Sequence, residues 1–130
     1  LAGYRFDDTP GVIEGSTVAT KFGSVKTEDS FKGLLAMSSL QAVKDGVNYP
    51  AVLLMHGVND PRVEVWHSAK MAARLQAATS TLPDGRPVLL RLDYDAGHGV
   101  GSSRRQRDAE LADVYSFLLW QFGEPEFQPK

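Results

Sequence analysis

The sequence has no cysteine. That excludes disulfides, thiolate-held metals and a cysteine nucleophile, and it leaves the compartment open, because a thiol-free chain suits cytosol and periplasm alike. It has no charge excess either: 14 Lys and Arg against 16 Asp and Glu give a net charge of −2. The basic footprint of a protein that grips nucleic acid or an anionic membrane is missing. No apolar run reaches the roughly 18 to 20 residues that cross a bilayer, and no basic-then-apolar stretch marks a signal peptide. No serine has a glycine both two residues before and two residues after it. The strained strand-to-helix turn Gly-x-Ser-x-Gly, which presents a nucleophilic serine, is therefore not in this chain. Of the three histidines, His56, His67 and His98, the first two are not spaced with each other and Asp60 for a tetrahedral zinc site, and neither metal nor cofactor is expected. There is no internal repeat and no low-complexity tract. The chain opens on "LAGYRF" without a methionine, which reads as the interior of a longer polypeptide.

What is present is a domain-sized chain of 130 residues, 42% hydrophobic, long enough to bury a core. Residues 1–25 carry glycines and a proline without a period of 3.6 or 2 and read as loop. From Thr27 the pattern changes. An N-cap hydroxyl, the acids Glu28 and Asp29, and then Phe31, Leu34 and Leu35 predict a helix over 27–37 that continues irregularly to Val43. "KDGVN" at 44–48 is a turn. Tyr49 and Pro50 are expected to start a strand whose Val52, Leu53, Leu54 and Met55 are apolar on both faces, the mark of a parallel sheet covered on both sides by helices. A helix over 65–78 and a second apolar strand over 88–94 complete a strand–helix–strand unit. A final helix over about 104–122 shows an apolar stripe of Leu111, Val114, Tyr115, Leu118 and Phe122. Arg104, Arg105 and Arg107 form its solvated start, Gly123 ends it, and the tail 123–130 is expected to fray. The expected plan is a loop region over 1–25, a helix-strand-helix-strand-helix body over 26–122, and the tail.

In a parallel α/β sheet, ligands gather outside the carboxyl ends of the strands. Asp60 follows the first strand and His98 the second, so both are expected on one sheet edge. An acid and then a histidine at successive strand ends is the order of the last two members of a Ser, Asp, His triad on an α/β-hydrolase scaffold. The carboxylate would fix the tautomer of the imidazole, whose other nitrogen takes the serine proton. Glycines at 97, 99 and 101 would let the loop bring His98 close. Taken singly, Asp60 before Pro61 also suits a plain turn residue, and His98 an exposed loop histidine. His56 and His67 read as structural.

At these residues the chain resembles a known family. "YPAVLLMHGVNDPRVEVWHSAKMAARLQ" and "GRPVLLRLDYDAGHGVG" resemble the C-terminal part of the peptidase domain of the prolyl oligopeptidase family, over about Thr17 to Phe122. The resemblance implies an α/β class, the C-terminal half of an α/β-hydrolase fold, incomplete on its own, with parallel strands flanked by helices. It implies Asp60 as triad acid, His98 as base, and Arg62 as the cation that binds a substrate carbonyl on the acyl side, with Val63 beside it. "TVATKFGS" matches the segment that walls the proline-selective pocket. Phe22 stands there in place of a tyrosine and Val18 in place of a tryptophan. Without the large flat ring a proline has less to stack on, so a specificity other than strict post-proline cleavage is expected.

The function implied is a serine peptidase acting on short peptides through an acyl-enzyme. The serine would come from the remainder of the peptidase domain, itself preceded by a β-propeller. An esterase or acylaminoacyl-type hydrolase, and a non-catalytic interaction module on the same fold, are the alternatives. The partners expected are the rest of the domain and an oligopeptide, with no nucleic acid and no membrane.

Overall fold

The computed structural model describes residues 25–82, 85–97 and 103–129. It divides into two compact units, Leu1–Lys44 and Asp45–Lys130.

In the first unit, helix α1 spans Glu28–Met37. Thr27 Oγ1 accepts the Ser30 N–H at 3.4 Å, while Glu28 and Asp29 occupy the first turn, where acids complement the helix dipole. Leu34 is the buried residue of its inner face. The irregularity expected after Met37 has a local cause. Ser38 leaves the helical region, at φ −74° and ψ 110°, and its side chain caps the short helix α2, Ser39–Ala42.

The second unit begins at the 45–46 turn, where Gly46 takes φ 73°, a conformation costly to a residue with a Cβ. Strands β1, Val52–Gly57, and β2, Val88–Asp93, pair in parallel, from Val52 beside Val88 to Gly57 beside Asp93. The first strand starts three residues later than Tyr49. Pro50 has no N–H to give, and the Tyr49 carbonyl accepts from the Thr81 hydroxyl at 2.7 Å. Val52 N–H therefore makes the first bond across, to Pro87 O at 2.9 Å. Thr81 is 1% exposed. Since its hydroxyl donates to Tyr49, it accepts from the Thr79 hydroxyl at 2.7 Å, which closes a buried polar chain.

Helix α3, Trp66–Ala78, joins the strands and covers the sheet face that carries His56 and Val88. Gln76 donates to Val88 O at 2.8 Å, and Ala72 and Ala78 are buried. Helix α4, Arg104–Gln121, starts with a capping box between Ser103 and Gln106. That box satisfies two orphan N–H groups at a turn whose arginines oppose the dipole. The helix covers the other sheet face, but with a different stripe from the one expected. Leu111, Tyr115, Leu118 and Phe122 are all exposed, whereas Asp113, Ser116, Phe117 and Trp120 face Leu53 and Leu89 across an apolar cavity of about 480 Å³. The helix carries two interleaved sets of large apolar residues. The Arg91–Asp113 bond at 2.6 Å and the Gln121 bond to Gly85 O at 3.2 Å select the second set.

Over its described residues, 123–129, the tail folds back on α4 rather than fraying. Gly123, at φ 85°, turns the chain into a 3-10 turn at Pro125–Phe127. Gln128 then donates back to the carbonyls of Trp120 at 3.1 Å and Glu124 at 2.9 Å. Among the described residues no helix is long and apolar enough to cross a membrane.

Candidate active site

The carboxyl end of β1 feeds a tight turn built on Asp60. Its N–H donates to Gly57 O at 3.2 Å. Its Oδ1 accepts the N–H groups of Arg62 at 2.8 Å and Val63 at 3.0 Å. Pro61 between them has no N–H to satisfy and a preset φ. The side chain is 7% exposed. The turn role that the sequence allowed for Asp60 is thus physically present, and it engages Oδ1.

The carboxyl end of β2 makes a matching turn. Asp93 Oδ1 accepts the N–H groups of Asp95 at 2.9 Å and Ala96 at 3.0 Å. The two turns are fastened to each other. Val58 N–H donates to Asp93 O at 2.8 Å and Asn59 N–H to Ala96 O at 3.2 Å, while the Asn59 side-chain amide donates to Tyr94 O at 2.6 Å. Gly57 makes this approach possible. A Cβ there would lie 2.5 Å from Ala96 O and 2.8 Å from Ala96 C, and would also run into Gly97 O.

Behind the Asp60 turn stands His56, 8% exposed at its side chain. Its Nε2 lies 2.9 Å from Val63 O and its Nδ1 2.6 Å from Ser68 Oγ. A carbonyl only accepts, so Nε2 carries the proton and, in the neutral ring, Nδ1 accepts from the serine hydroxyl. Asp60 Oδ2 is 3.8 Å from Nε2, beyond hydrogen-bond reach. Both ring nitrogens of His56 are thus engaged within the protein. His67 stacks on Trp66 with ring centroids 3.8 Å apart, and Lys70 sits over the Trp66 ring at 4.1 Å.

Arg62 is exposed. Val63 is half-buried, with its N–H held by Asp60 and its carbonyl by His56. His98, Phe22 and Val18 lie outside the described residues. The sequence reading missed three residues that shape this edge: Asn59, Asp93 and Ser68. Asp at a strand end ahead of a short polar turn was the available sign for Asp93. Asn59 and Ser68 carried no local sign, because their partners are distant in sequence. Among the described residues no group of three or more acids and histidines could hold a metal ion. Away from this edge, the Arg91 pKa is raised from its ordinary value, chiefly by its hydrogen bond to Asp113.

Comparison with known proteins gives this geometry a family. The model of the prolyl oligopeptidase family matches residues 15–125. A prolyl endopeptidase of Elizabethkingia meningoseptica is 36% identical over 110 residues, 84% of this chain and 15% of that protein. The dipeptidyl aminopeptidase BI of Pseudoxanthomonas mexicana is 38% identical over 76 residues, 58% of this chain and 10% of the relative. Among solved structures, a prolyl endopeptidase superposes with a TM-score of 0.68 at 33% identity, over 75% of this chain and 14% of the other. The chain thus spans about 15% of the length of such relatives, and its parallel strands and flanking helices are part of an α/β-hydrolase fold. The chain belongs to the prolyl oligopeptidase family.

Proposed function

We propose that this chain supplies the acid and the base of a serine-peptidase triad, Asp60 and His98, to a nucleophile carried elsewhere in the polypeptide. One observation bears most of the weight: the turn after β1 and the turn after β2 are hydrogen-bonded to each other, with Asn59, the neighbour of Asp60, bonded to Ala96. His98 follows Ala96 by two residues in the sequence, and two residues of chain span at most about 7 Å. A separation that short supports the pairing of His98 with the Asp60 carboxylate. In this reading the serine hydroxyl attacks the scissile carbonyl as His98 takes its proton. The imidazolium, stabilised by Asp60, then gives that proton to the leaving amine, and water releases the acyl group by the same route in reverse.

Arg62, exposed two residues from Asp60, binds a substrate carbonyl on the acyl side, with Val63 beside it, and the family resemblance assigns Phe22 and Val18 to substrate binding as well. The substrates are short peptides, admitted past a propeller domain, and cleavage is not restricted to proline. The chain alone, without the serine, is inactive. In the full-length polypeptide, His98→Ala is expected to abolish turnover of a chromogenic peptide amide, and Arg62→Ala to raise KM with a smaller loss of kcat. Near-normal kcat in His98→Ala, or a full-length sequence without a Gly-x-Ser-x-Gly turn, ends the proposal.

A further inference from the structure

Val63 is held at both of its backbone polar groups. Asp60 Oδ1 takes its N–H at 3.0 Å and His56 Nε2 holds its carbonyl at 2.9 Å. The second grip depends on a tautomer, since only a protonated Nε2 can donate to a carbonyl. Ser68 on α3 lies 2.6 Å from Nδ1 and, by offering its hydroxyl proton there, favours that tautomer. His56 belongs to the sheet and Ser68 to a packed helix, so the bridge ties a surface turn to two rigid elements. A turn held only by Asp60 would leave its carboxylate free to move with it.

From this we infer that His56 is a positioning residue for the reaction, holding the 60–63 turn through Val63 so that the Asp60 carboxylate keeps its aim, with Ser68 setting its tautomer. The inference rests on the triad reading of Asp60. It differs from a plain core role in one respect: the effect of His56 on rate runs through Asp60. Misplacement of a catalytic group by about 1 Å is worth roughly 100-fold in rate.

The test is a double-mutant cycle in the full-length enzyme, reading kcat and KM on a chromogenic peptide amide. His56→Leu, which keeps bulk and loses both bonds, is expected to lower kcat about 10- to 100-fold. His56→Gln, which keeps an N–H near the Nε2 position, is expected to restore most of that loss. In the Asp60→Asn background, His56→Leu is expected to cost less than about twofold, because the group it positions is already disabled. An equal loss in both backgrounds, or a Gln variant as slow as the Leu variant, overturns the inference while leaving the triad intact. Wild-type kcat in Asp60→Asn alone overturns the triad reading itself. Should His56→Leu fail to fold, Ser68→Ala runs the same cycle with a single hydroxyl removed. Its expected loss is about 3- to 10-fold in wild type and near nothing beside Asp60→Asn, and no loss in wild type overturns the inference.

Discussion

Gly57 ends β1 with its Cα facing the backbone of Ala96, so close that a methyl group on Gly57 would lie 2.5 Å from the Ala96 carbonyl oxygen. The atoms in the way are main chain, held by the Asp93 turn and by Asn59, and cannot rotate aside as a side chain would. This contact lets the two strand-end turns share hydrogen bonds; the proposed acid, Asp60, stands on the first of them, and the proposed base follows Ala96 of the second by two residues in sequence.

Gly57→Ala is therefore expected to cost about 1 to 3 kcal/mol by overpacking, read as a lower denaturant midpoint at unchanged slope. Gly33→Ala is the internal contrast. Gly33 lies inside α1, and a Cβ added there would have nothing within 4 Å, so the same substitution should stabilise by about 0.5 to 1 kcal/mol through helix propensity. Two shifts of the same sign would contradict the steric account.

The Thr81 hydroxyl links Tyr49 O to the Thr79 hydroxyl in a site 1% exposed. Thr81→Val keeps the shape and removes the donor and acceptor together. The expected loss is about 1 to 3 kcal/mol, the cost of deleting one partner from buried polar groups. An unchanged unfolding midpoint would show that this polar chain adds no net stability.

Asp113 holds Arg91 at 2.6 Å, but its side chain is 60% exposed. Asp113→Asn should cost less than about 1 kcal/mol, and less again at high salt. The bond raises the Arg91 pKa above its ordinary value. Stability gained by raising a cation's pKa is fully present below the unfolded-state value and lost only as pH rises through the folded one. Between about pH 7 and 10, below the ordinary arginine range, the Arg91 contribution should therefore stay constant. A steep decline of the wild-type advantage over Asp113→Asn in that window would refute this.

Much of the architecture was legible from residue order, because helices and strands are set by interactions within a few residues. The Thr27 cap, the 3.6-residue period of α1 and α4, the helix-forming composition of α3, and the apolar runs of β1 and β2 all act locally, and their elements formed within about three residues of expectation. Family membership was legible too, since its motifs are contiguous strings.

Other features depended on partners far along the chain. Leu111, Tyr115, Leu118 and Phe122 satisfy the helical period as well as Phe117 and Trp120 do, so periodicity could not choose between the stripes of α4. Arg91, on another element, made that choice. The tail was ordered by bonds of Gln128 back to Trp120 and Glu124, which composition does not encode.

By itself, then, the sequence determined the kinds and order of elements, the family, and the candidates Asp60 and His98. The tertiary structure alone decided that the two strand-end turns fasten together, through bonds such as Asn59 to Tyr94, 35 residues apart, and that His56 and Asp60 hold one residue between them. The physical reason is that local backbone preferences repeat along the chain and can be read in order. A hydrogen bond between distant residues exists only after packing has brought its donor and acceptor within about 3 Å.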